Sequence, residues 1–143
     1  MEKPHFTIND PRLWHYRCHC IRVIDGDTME VVVDKGFGDY RVEHLRIYGI
    51  NTPELHPRKG TPDEREAEKV AAKAAKARVE ELVLGRDLII QSKKSGKFGR
   101  WIADVFLNKD TMDAVTLLGA VADWKGTLSE TLLAEGHAVE YLK

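Results

Sequence analysis

The sequence of 143 residues is long enough for one domain with a sizeable core, and no second domain is expected. Its 22 Lys and Arg residues nearly balance its 23 Asp and Glu residues, for a formal net charge of −1 at pH 7. This balance excludes a protein that binds polyanions through a general basic excess, so any polyanion site must depend on local clusters of basic residues.

The N-terminal segment contains no apolar stretch typical of a secretory signal, and no later segment reaches the length of a membrane span. We therefore expect a cytoplasmic protein that does not contact membranes, with secretion of a trimmed form left open. A monomer is the default expectation, because nothing in the sequence determines the oligomeric state.

Cys18 and Cys20 are the only two cysteines, and as alternate residues of a predicted strand they share one face. They are interpreted as reduced, partly buried thiols. A zinc or redox site of the Cys-His-Cys type is the alternative interpretation.

Three predicted strands follow an irregular N-terminal arm of residues 1–15. The tight turn Asp25-Gly26-Asp27 joins the first two strands and predicts a hairpin. The three strands are predicted over Tyr16–Ile24, Thr28–Val33 and Tyr40–Ile50.

A helix is predicted to begin at Thr61, with Pro62 at its first position and Glu64 placed to close a capping box. It is expected to run to Leu84 and to stop at Gly85. A stripe of mostly small apolar residues at helical spacing predicts the face that packs on a sheet, namely Ala67, Ala71, Ala75, Val79 and Leu82.

Two further strands, Asp87–Ser92 and Trp101–Leu107, are predicted on either side of a basic loop. A second helix is predicted over Thr127–Glu135. The segment 108–126 is interpreted as an insertion, and its apolar run leaves a strand pair or a helical turn open.

Five short strands, with one helix between strands 3 and 4 and another after strand 5, predict an α+β, mainly β fold. The expected architecture is a five-stranded OB-fold Greek-key barrel formed by residues 16–143 as a single domain.

The end of the third strand and the turn after it carry most of the chemical information. Because side chains alternate along a strand, Arg46 is expected to point away from the face that buries Leu45 and Ile47.

The corner after this strand is stiffened by Pro53 and projects the Asn51 amide, the Thr52 carbonyl and the Glu54 carboxylate. Oxygen donors in this pattern predict a half-site for a hard cation beside a phosphate. A surface ion pair between Arg46 and Glu54 is the alternative.

Three separated clusters resemble, in order and in approximate spacing, the signature segments of the staphylococcal nuclease (thermonuclease) family: Ile24–Thr28, Leu45–Glu54 and Lys97–Arg100. The loop His56–Gly60 is similar to the mobile loop beside the active site of that family. The resemblance covers approximately residues 21–141 and is interrupted near 108–126.

The resemblance implies a calcium-dependent endonuclease that hydrolyses single- or double-stranded DNA and RNA and leaves 3′-phosphates. It implies that Glu54 is the general base and that Arg46 and Arg100 clamp the scissile phosphate. Planar guanidinium groups suit this role because the transition state concentrates negative charge on the phosphoryl oxygens.

The calcium ligands implied by the resemblance are Asp27, Asn51 and the carbonyl of Thr52. The family most often has Asp at the position of Asn51. An amide oxygen still suits calcium, but one negative charge is lost, so activity is expected to need more calcium or to favour another divalent ion.

Basic and aromatic residues near the clusters are predicted to contact nucleic acid, and they are Lys93, Lys94, Lys97, Phe98, Arg58 and Lys59. A solvated hairpin tip is the alternative for the loop that contains the first four of them.

A non-catalytic module of the same ancestry, which binds nucleic acid or a protein, is the alternative to the nuclease. The presence of Arg46, Glu54 and Arg100 favours the enzyme, because such modules commonly lack the arginines or the glutamate. The sequence also ends before the C-terminal helix that the resemblance leads us to expect.

Overall fold

The computed structural model describes residues 13–93, 100–107 and 126–141. Within these ranges, strands and helices follow in the order β1 (His15–Asp25), β2 (Thr28–Asp34), β3 (Tyr40–Ile47), β4 (Ile50–Asn51), α1 (Pro62–Val83), β5 (Asp87–Ser92), β6 (Trp101–Phe106), α2 (Leu128–Ala134) and β7 (Val139–Glu140). Most of the predicted arm and of the segment 108–126 lies outside the described residues.

Five of the strands close into a barrel in the order β1-β2-β3-β6-β5, with β5 pairing back to β1. Neighbouring strands are antiparallel except β3 and β6, which run parallel. The helices lie where they were predicted along the chain, α1 between the third and fourth barrel strands and α2 after the fifth. The predicted OB-fold-like α+β architecture is therefore confirmed.

The barrel interior is filled by alternate residues of its strands, as the two-residue period of a strand requires. Each fully buried aliphatic side chain contributes roughly 1.5–3 kcal/mol to folding. The interior residues of the first three strands are Cys18, Cys20, Val23, Met29, Val31, Val33, Leu45 and Ile47.

Cys18 and Cys20 are free thiols in this interior, and both are more deeply buried than predicted. His19 points to the opposite side of β1, where its Nδ1 lies 2.8 Å from Oδ1 of Asp87. Burial raises the pKa of Cys18 to about 12, so the thiol stays neutral. The described residues contain no group of three or more His, Cys, Asp or Glu side chains suited to a metal, so the cysteines belong to the core.

The third strand is shorter than predicted and ends at Ile47 rather than at Ile50. The chain turns at Tyr48 and Gly49, and Gly49 has φ +84°, a conformation that only glycine adopts at little cost. The next two residues form β4, which pairs with β7 outside the barrel. The break therefore moves the corner of residues 51–54 off the barrel wall.

The ends of α1 lie within one residue of those predicted. The Thr61 hydroxyl accepts the backbone N–H of Glu64 at 3.2 Å, and Pro62 is the first helical residue. After the helix, the N–H of Gly85 donates to the carbonyl of Cys20 at 2.9 Å. Neither helix in the described ranges is both long and apolar enough to span a bilayer.

The packed face of α1 differs from the prediction in the N-terminal half. Ala67 and Ala71 are exposed. The buried residues of the helix begin at Ala72 and are Ala72, Ala75, Val79 and Val83.

Helix α2 secures the turn that interrupts the third strand. Its N-cap is Thr127, whose hydroxyl accepts the N–H of Glu130 at 3.1 Å. The hydroxyl of Ser129, in the first turn, donates to the carbonyl of Tyr48 at 2.7 Å. The turn is thus fixed between the barrel and α2 before the chain enters β4.

Candidate active site

A cavity of about 670 Å³ lies where the β1–β2 turn, β4 and its following corner, α1 and the start of β6 meet. It contains the three predicted catalytic residues, the three predicted calcium ligands and two of the predicted nucleic-acid contacts. Its lining residues are Asp25, Asp27, Arg46, Asn51, Thr52, Pro53, Glu54, Arg58, Lys59, Glu68 and Arg100. Segments that are distant in sequence therefore form one site.

Sheet register explains how the hairpin turn meets the third strand. Arg46 on β3 lies opposite Thr28, the first residue of β2. The backbone N–H of Ile47 donates to the carbonyl of Asp27 at 2.9 Å. The turn carboxylate and the strand guanidinium are consequently neighbours.

The Asp27 carboxylate is held by several donors. Its Oδ2 accepts the backbone N–H of Thr52 at 3.1 Å and lies 2.9 Å from Nη1 of Arg46. Its Oδ1 accepts the hydroxyl of Thr28 at 3.1 Å. Burial alone would raise the pKa of Asp27, but hydrogen bonding from Asp25, the Arg46 charge and the Thr52 N–H together lower it. Asp27 therefore ionises at a lower pH than an ordinary aspartate.

Asp25 is a site residue that the sequence prediction did not name. Its Oδ1 accepts the backbone N–H of Asp27 at 3.0 Å. Burial, followed by the hydrogen bond with Asp27 and the charge of that residue, raises the pKa of Asp25 to about 6. The Asp-Gly-Asp turn contains two acidic residues, but no sequence rule shows that both of their side chains face the same cavity.

The Arg46 guanidinium is almost enclosed, with its side chain 13% exposed. Its Nη2 donates to the carbonyl of Ile50 at 3.1 Å and to Oδ1 of Asn51. Its Nη1 contacts Asp27 as an ion pair without the alignment of a hydrogen bond. The alternative interpretation, a surface ion pair between Arg46 and Glu54, is wrong because the partner carboxylate of Arg46 is Asp27.

Close packing between the hairpin turn and the corner depends on Gly26. A Cβ at this position would lie 2.7 Å from Oγ1 and 2.9 Å from Cβ of Thr52. Real Cβ atoms essentially never approach so closely, so any larger residue would separate the turn from the corner.

The cavity presents several oxygen donors of the kind that a hard divalent cation prefers. Asp27, Asn51 and the Thr52 carbonyl are all oxygen donors, and Asp25 adds a second carboxyl. Oγ1 of Thr52 is buried and has no hydrogen-bond partner among the described residues. The chemistry fits a hard cation, although Asp27 and Asn51 are both in contact with Arg46.

The remaining functional side chains project into the open part of the cavity. Glu54, Arg58 and Lys59 are exposed, and Arg100 is half-buried. Glu54 forms no hydrogen bond or ion pair with any residue in the described ranges. These groups are therefore accessible to a substrate.

Glu68 is a second residue of the cavity that sequence reasoning missed. It lies on α1 and faces the same space as Arg58 and Lys59. Helical periodicity shows which residues share a helix face, but it does not show which loop folds against that face.

Lys93 is not part of this cavity. Its Nζ lies 3.5 Å from Oδ2 of Asp104 and 5.2 Å from the centre of the Tyr48 ring. It lines a smaller cavity of about 220 Å³ at the end of the barrel. Lys94, Lys97 and Phe98 lie outside the described residues, so their predicted contacts with nucleic acid stay predictions.

A family model of staphylococcal nuclease homologues matches residues 44–143. The chain belongs to this family. The match includes the β3 strand end, the corner and the start of β6, and it begins after the Asp25–Asp27 turn. No curated protein sequence matches the chain.

Family membership indicates a nuclease-type domain and, in general terms, binding of nucleic acid. The turn that precedes the matched range is joined to it by the bond from the Thr52 N–H to Asp27. The carboxylate of Asp27, which precedes the matched range, thus contacts a residue within that range.

Proposed function

We propose that the protein is a calcium-dependent nuclease that hydrolyses phosphodiester bonds in DNA and RNA and leaves 3′-phosphate ends. The observation that carries this proposal is the convergence of Arg46, Glu54 and Arg100 with oxygen donors for a cation in one cavity. A carboxylate, two guanidinium groups and a hard-cation site together match the requirements of phosphodiester hydrolysis.

Arg46 and Arg100 bind the phosphate. Each guanidinium has five N–H donors in a planar fork, which suits two phosphoryl oxygens at once. Arg46 already directs Nη2 at Ile50 and Asn51 and Nη1 at Asp27, so a phosphate would use its Nε–H or compete for these N–H groups. Their combined charge stabilises the five-coordinate transition state more than the ground state, because negative charge accumulates on its oxygens.

Glu54 takes a proton from the attacking water. Its exposed carboxylate has no partner among the described residues and so can accept a proton from a water held beside the phosphate. The water oxygen forms a bond to phosphorus while the bond from phosphorus to the 5′-oxygen breaks. The leaving 5′-oxygen acquires a proton, and the phosphate remains on the 3′-oxygen.

Asp27, Asn51 and the Thr52 carbonyl would hold the calcium ion. When bound, the ion would supply positive charge beside the phosphoryl oxygens. Asn51 brings no charge to this set, so we expect weaker calcium binding than with a second carboxylate, and another divalent ion is an alternative.

The second candidate function is a module that binds nucleic acid or protein without cleaving it. One observation favours it: Arg46 already contacts Asp27 and Asn51, which are two of the three proposed calcium ligands. A cation would have to compete with this guanidinium for the same oxygens.

The deciding experiment is a calcium titration of cleavage with labelled single-stranded DNA, double-stranded DNA and RNA. Product ends are mapped, and chelator and Glu54→Gln serve as tests of the mechanism. Glu66→Gln is the matched control, because Glu66 is exposed on α1 and does not line the cavity.

Calcium-dependent cleavage with 3′-phosphate ends is expected, and Glu54→Gln should reduce turnover by about 100-fold or more. Glu66→Gln should cleave as the wild type does. DNA binding without cleavage in calcium, magnesium or manganese would contradict the nuclease and support the binding module.

A further inference from the structure

The Arg46 guanidinium lies over the ring of Tyr141, with 5.8 Å from Cζ to the ring centre. A cation in this position is attracted to the face of the ring without using a hydrogen-bond acceptor. Tyr141 therefore adds a contact of a different kind to those that Arg46 makes with Asp27, Ile50 and Asn51.

We propose that Tyr141 is a positioning residue for Arg46. Its ring holds the guanidinium so that the donors not used within the protein face the phosphate in the cavity. This proposal rests on the proposed role of Arg46 as a phosphate ligand. Neither the sequence motifs nor the lining of the cavity points to Tyr141.

The backbone places Tyr141 with little freedom. Its N–H donates to the carbonyl of Gly49 at 2.9 Å. The two preceding residues form β7, which pairs with Ile50 and Asn51 of β4. The same two residues of β4 supply acceptors for Arg46, so β7 supports both the acceptors and the ring.

Exposure allows the contact to be tested without loss of the fold. Tyr141 is 40% exposed, and its neighbour Val139 is 66% exposed, so β7 adds little to the core. The Arg46 side chain, by contrast, is 13% exposed. Replacing the tyrosine should change the order of the arginine more than the stability of the barrel.

The expected effect is moderate. A cation over an aromatic ring at a partly exposed site corresponds to about a two- to fivefold change in an equilibrium. Arginine also regains side-chain freedom when the ring is removed, so we expect kcat to fall about 3- to 10-fold. KM for the oligonucleotide should rise less, by about threefold at most, because the clamp acts more strongly on the transition state than on the bound substrate.

The experiment compares Tyr141→Leu with Tyr141→Phe in the full chain. Tyr40→Leu is the matched control, since Tyr40 is 63% exposed on β3 and does not line the cavity. Cleavage of labelled single-stranded DNA gives kcat and KM, and the melting temperature reports the fold. Tyr141→Phe should retain most activity, and Tyr40→Leu should behave as the wild type.

A double-mutant cycle with Arg46→Lys identifies the route of the effect. A lysine has no planar fork to be oriented, so Tyr141→Leu should have little further effect in that background. An equal loss in both backgrounds would overturn the proposal, and so would a loss in Tyr141→Phe as large as in Tyr141→Leu.

A binding measurement separates this proposal from the proposed nuclease function. Fluorescence anisotropy of the same oligonucleotide, with chelator present, is repeated for each variant. If the wild type does not cleave, the nuclease proposal fails, yet Tyr141→Leu should still weaken binding about threefold with Arg46 and not with Lys at that position. Unchanged binding and unchanged cleavage would overturn the role of Tyr141.

Discussion

The cavity has two halves that differ in how strongly the protein holds its own functional groups. The interlocked half consists of Asp25, Asp27, Arg46, Asn51 and Thr52, which are joined by hydrogen bonds and an ion pair. The open half consists of Glu54, Arg58, Lys59 and Arg100, which project towards solvent. The difference indicates that the protein fixes the charged groups of the interlocked half, whereas those of the open half remain accessible to a ligand.

The two halves should respond differently to the removal of a single charge. Asp27→Asn removes the carboxylate that neutralises the nearly enclosed Arg46, so we expect a loss of at least about 100-fold in turnover and ~1–3 kcal/mol in the free energy of unfolding. Glu54→Gln should lose as much turnover, with a change in unfolding free energy within about 0.5 kcal/mol. Urea unfolding and single-turnover cleavage measure both quantities.

This pair of variants tests the division itself. If Glu54→Gln destabilised the fold as much as Asp27→Asn, the open half would have internal partners that support the structure. If Asp27→Asn were as stable as the wild type, the Arg46 contacts would not hold the interlocked half together.

A pH titration tests how much the neutral Cys18 thiol contributes to the stability of the barrel that carries the interlocked half. β1 carries Cys18 in the core and ends at Asp25. Burial raises the pKa of Cys18 from 9.0 to about 12, so the folded protein retains a proton that the unfolded chain loses. This contribution to stability is fully present below about pH 9 and is lost as the pH rises towards 12.

At pH 11 the thiol should reduce the free energy of unfolding by ~2–3 kcal/mol relative to pH 8. Urea unfolding at the two pH values measures this difference. Cys18→Ala should show a smaller pH dependence, although it begins from a lower stability at pH 8 because it leaves a cavity. If the free energy of unfolding of Cys18→Ala depended on pH as strongly as that of the wild type, groups other than Cys18 would cause the loss of stability at alkaline pH.

Within the interlocked half, the turn that contains Gly26 packs directly against Thr52, and this packing leaves no space for a larger side chain at position 26. Gly26→Ala would place a Cβ 2.7 Å from Oγ1 of Thr52, so we expect a loss of ~1–3 kcal/mol in unfolding free energy. Calcium binding, measured by isothermal titration calorimetry, should weaken with it because Thr52 is displaced.

The steric cause predicts a non-additive double variant. Thr52→Ala removes Oγ1 and Cγ2, two of the three atoms that the new Cβ would meet, and should recover part of the loss caused by Gly26→Ala. Simple addition of the two single effects would show that the cost of Gly26→Ala is not this contact.

Local signals in the sequence predicted most of the fold, because they depend on neighbouring residues. Alternation predicted the five barrel strands, and Thr61 and Thr127 cap the two helices. The break at Gly49 was missed, because a single glycine in a strand pattern also fits a continuous strand. The packed face of α1 was misplaced in its N-terminal half, since periodicity does not show where a helix leaves the sheet.

The site was predicted to the extent that its residues belong to linear motifs. Arg46, Glu54 and Arg100 lie in such motifs and meet in the cavity. Asp25 joins the arrangement through a local contact with Asp27 within one turn, whereas Tyr141 joins it through a tertiary contact with Arg46. No spacing rule along the chain joins a C-terminal tyrosine to an arginine on the third strand.

Adding a charge should strengthen the proposed cation site without disturbing the fold. Asn51→Asp adds a carboxylate beside Asp27, so we expect about tenfold tighter calcium binding by calorimetry. Stability should change little, since the new carboxylate would still accept from Arg46. Weaker calcium binding would show that a stronger bond to Arg46 outweighs the gain in ligand charge.

The smallest expected effect concerns a single charge of the open half. Lys59→Ala should weaken binding of single-stranded DNA about two- to threefold and reduce the slope of log K against log salt by ~0.7, because one phosphate contact is lost. Lys69→Ala is the control, as Lys69 is exposed on α1 and does not line the cavity. Equal slopes for the two variants would mean that Lys59 contributes only general charge. A change confined to Lys59→Ala, with an unchanged melting temperature, would show that the open half meets the substrate through contacts that folding does not require.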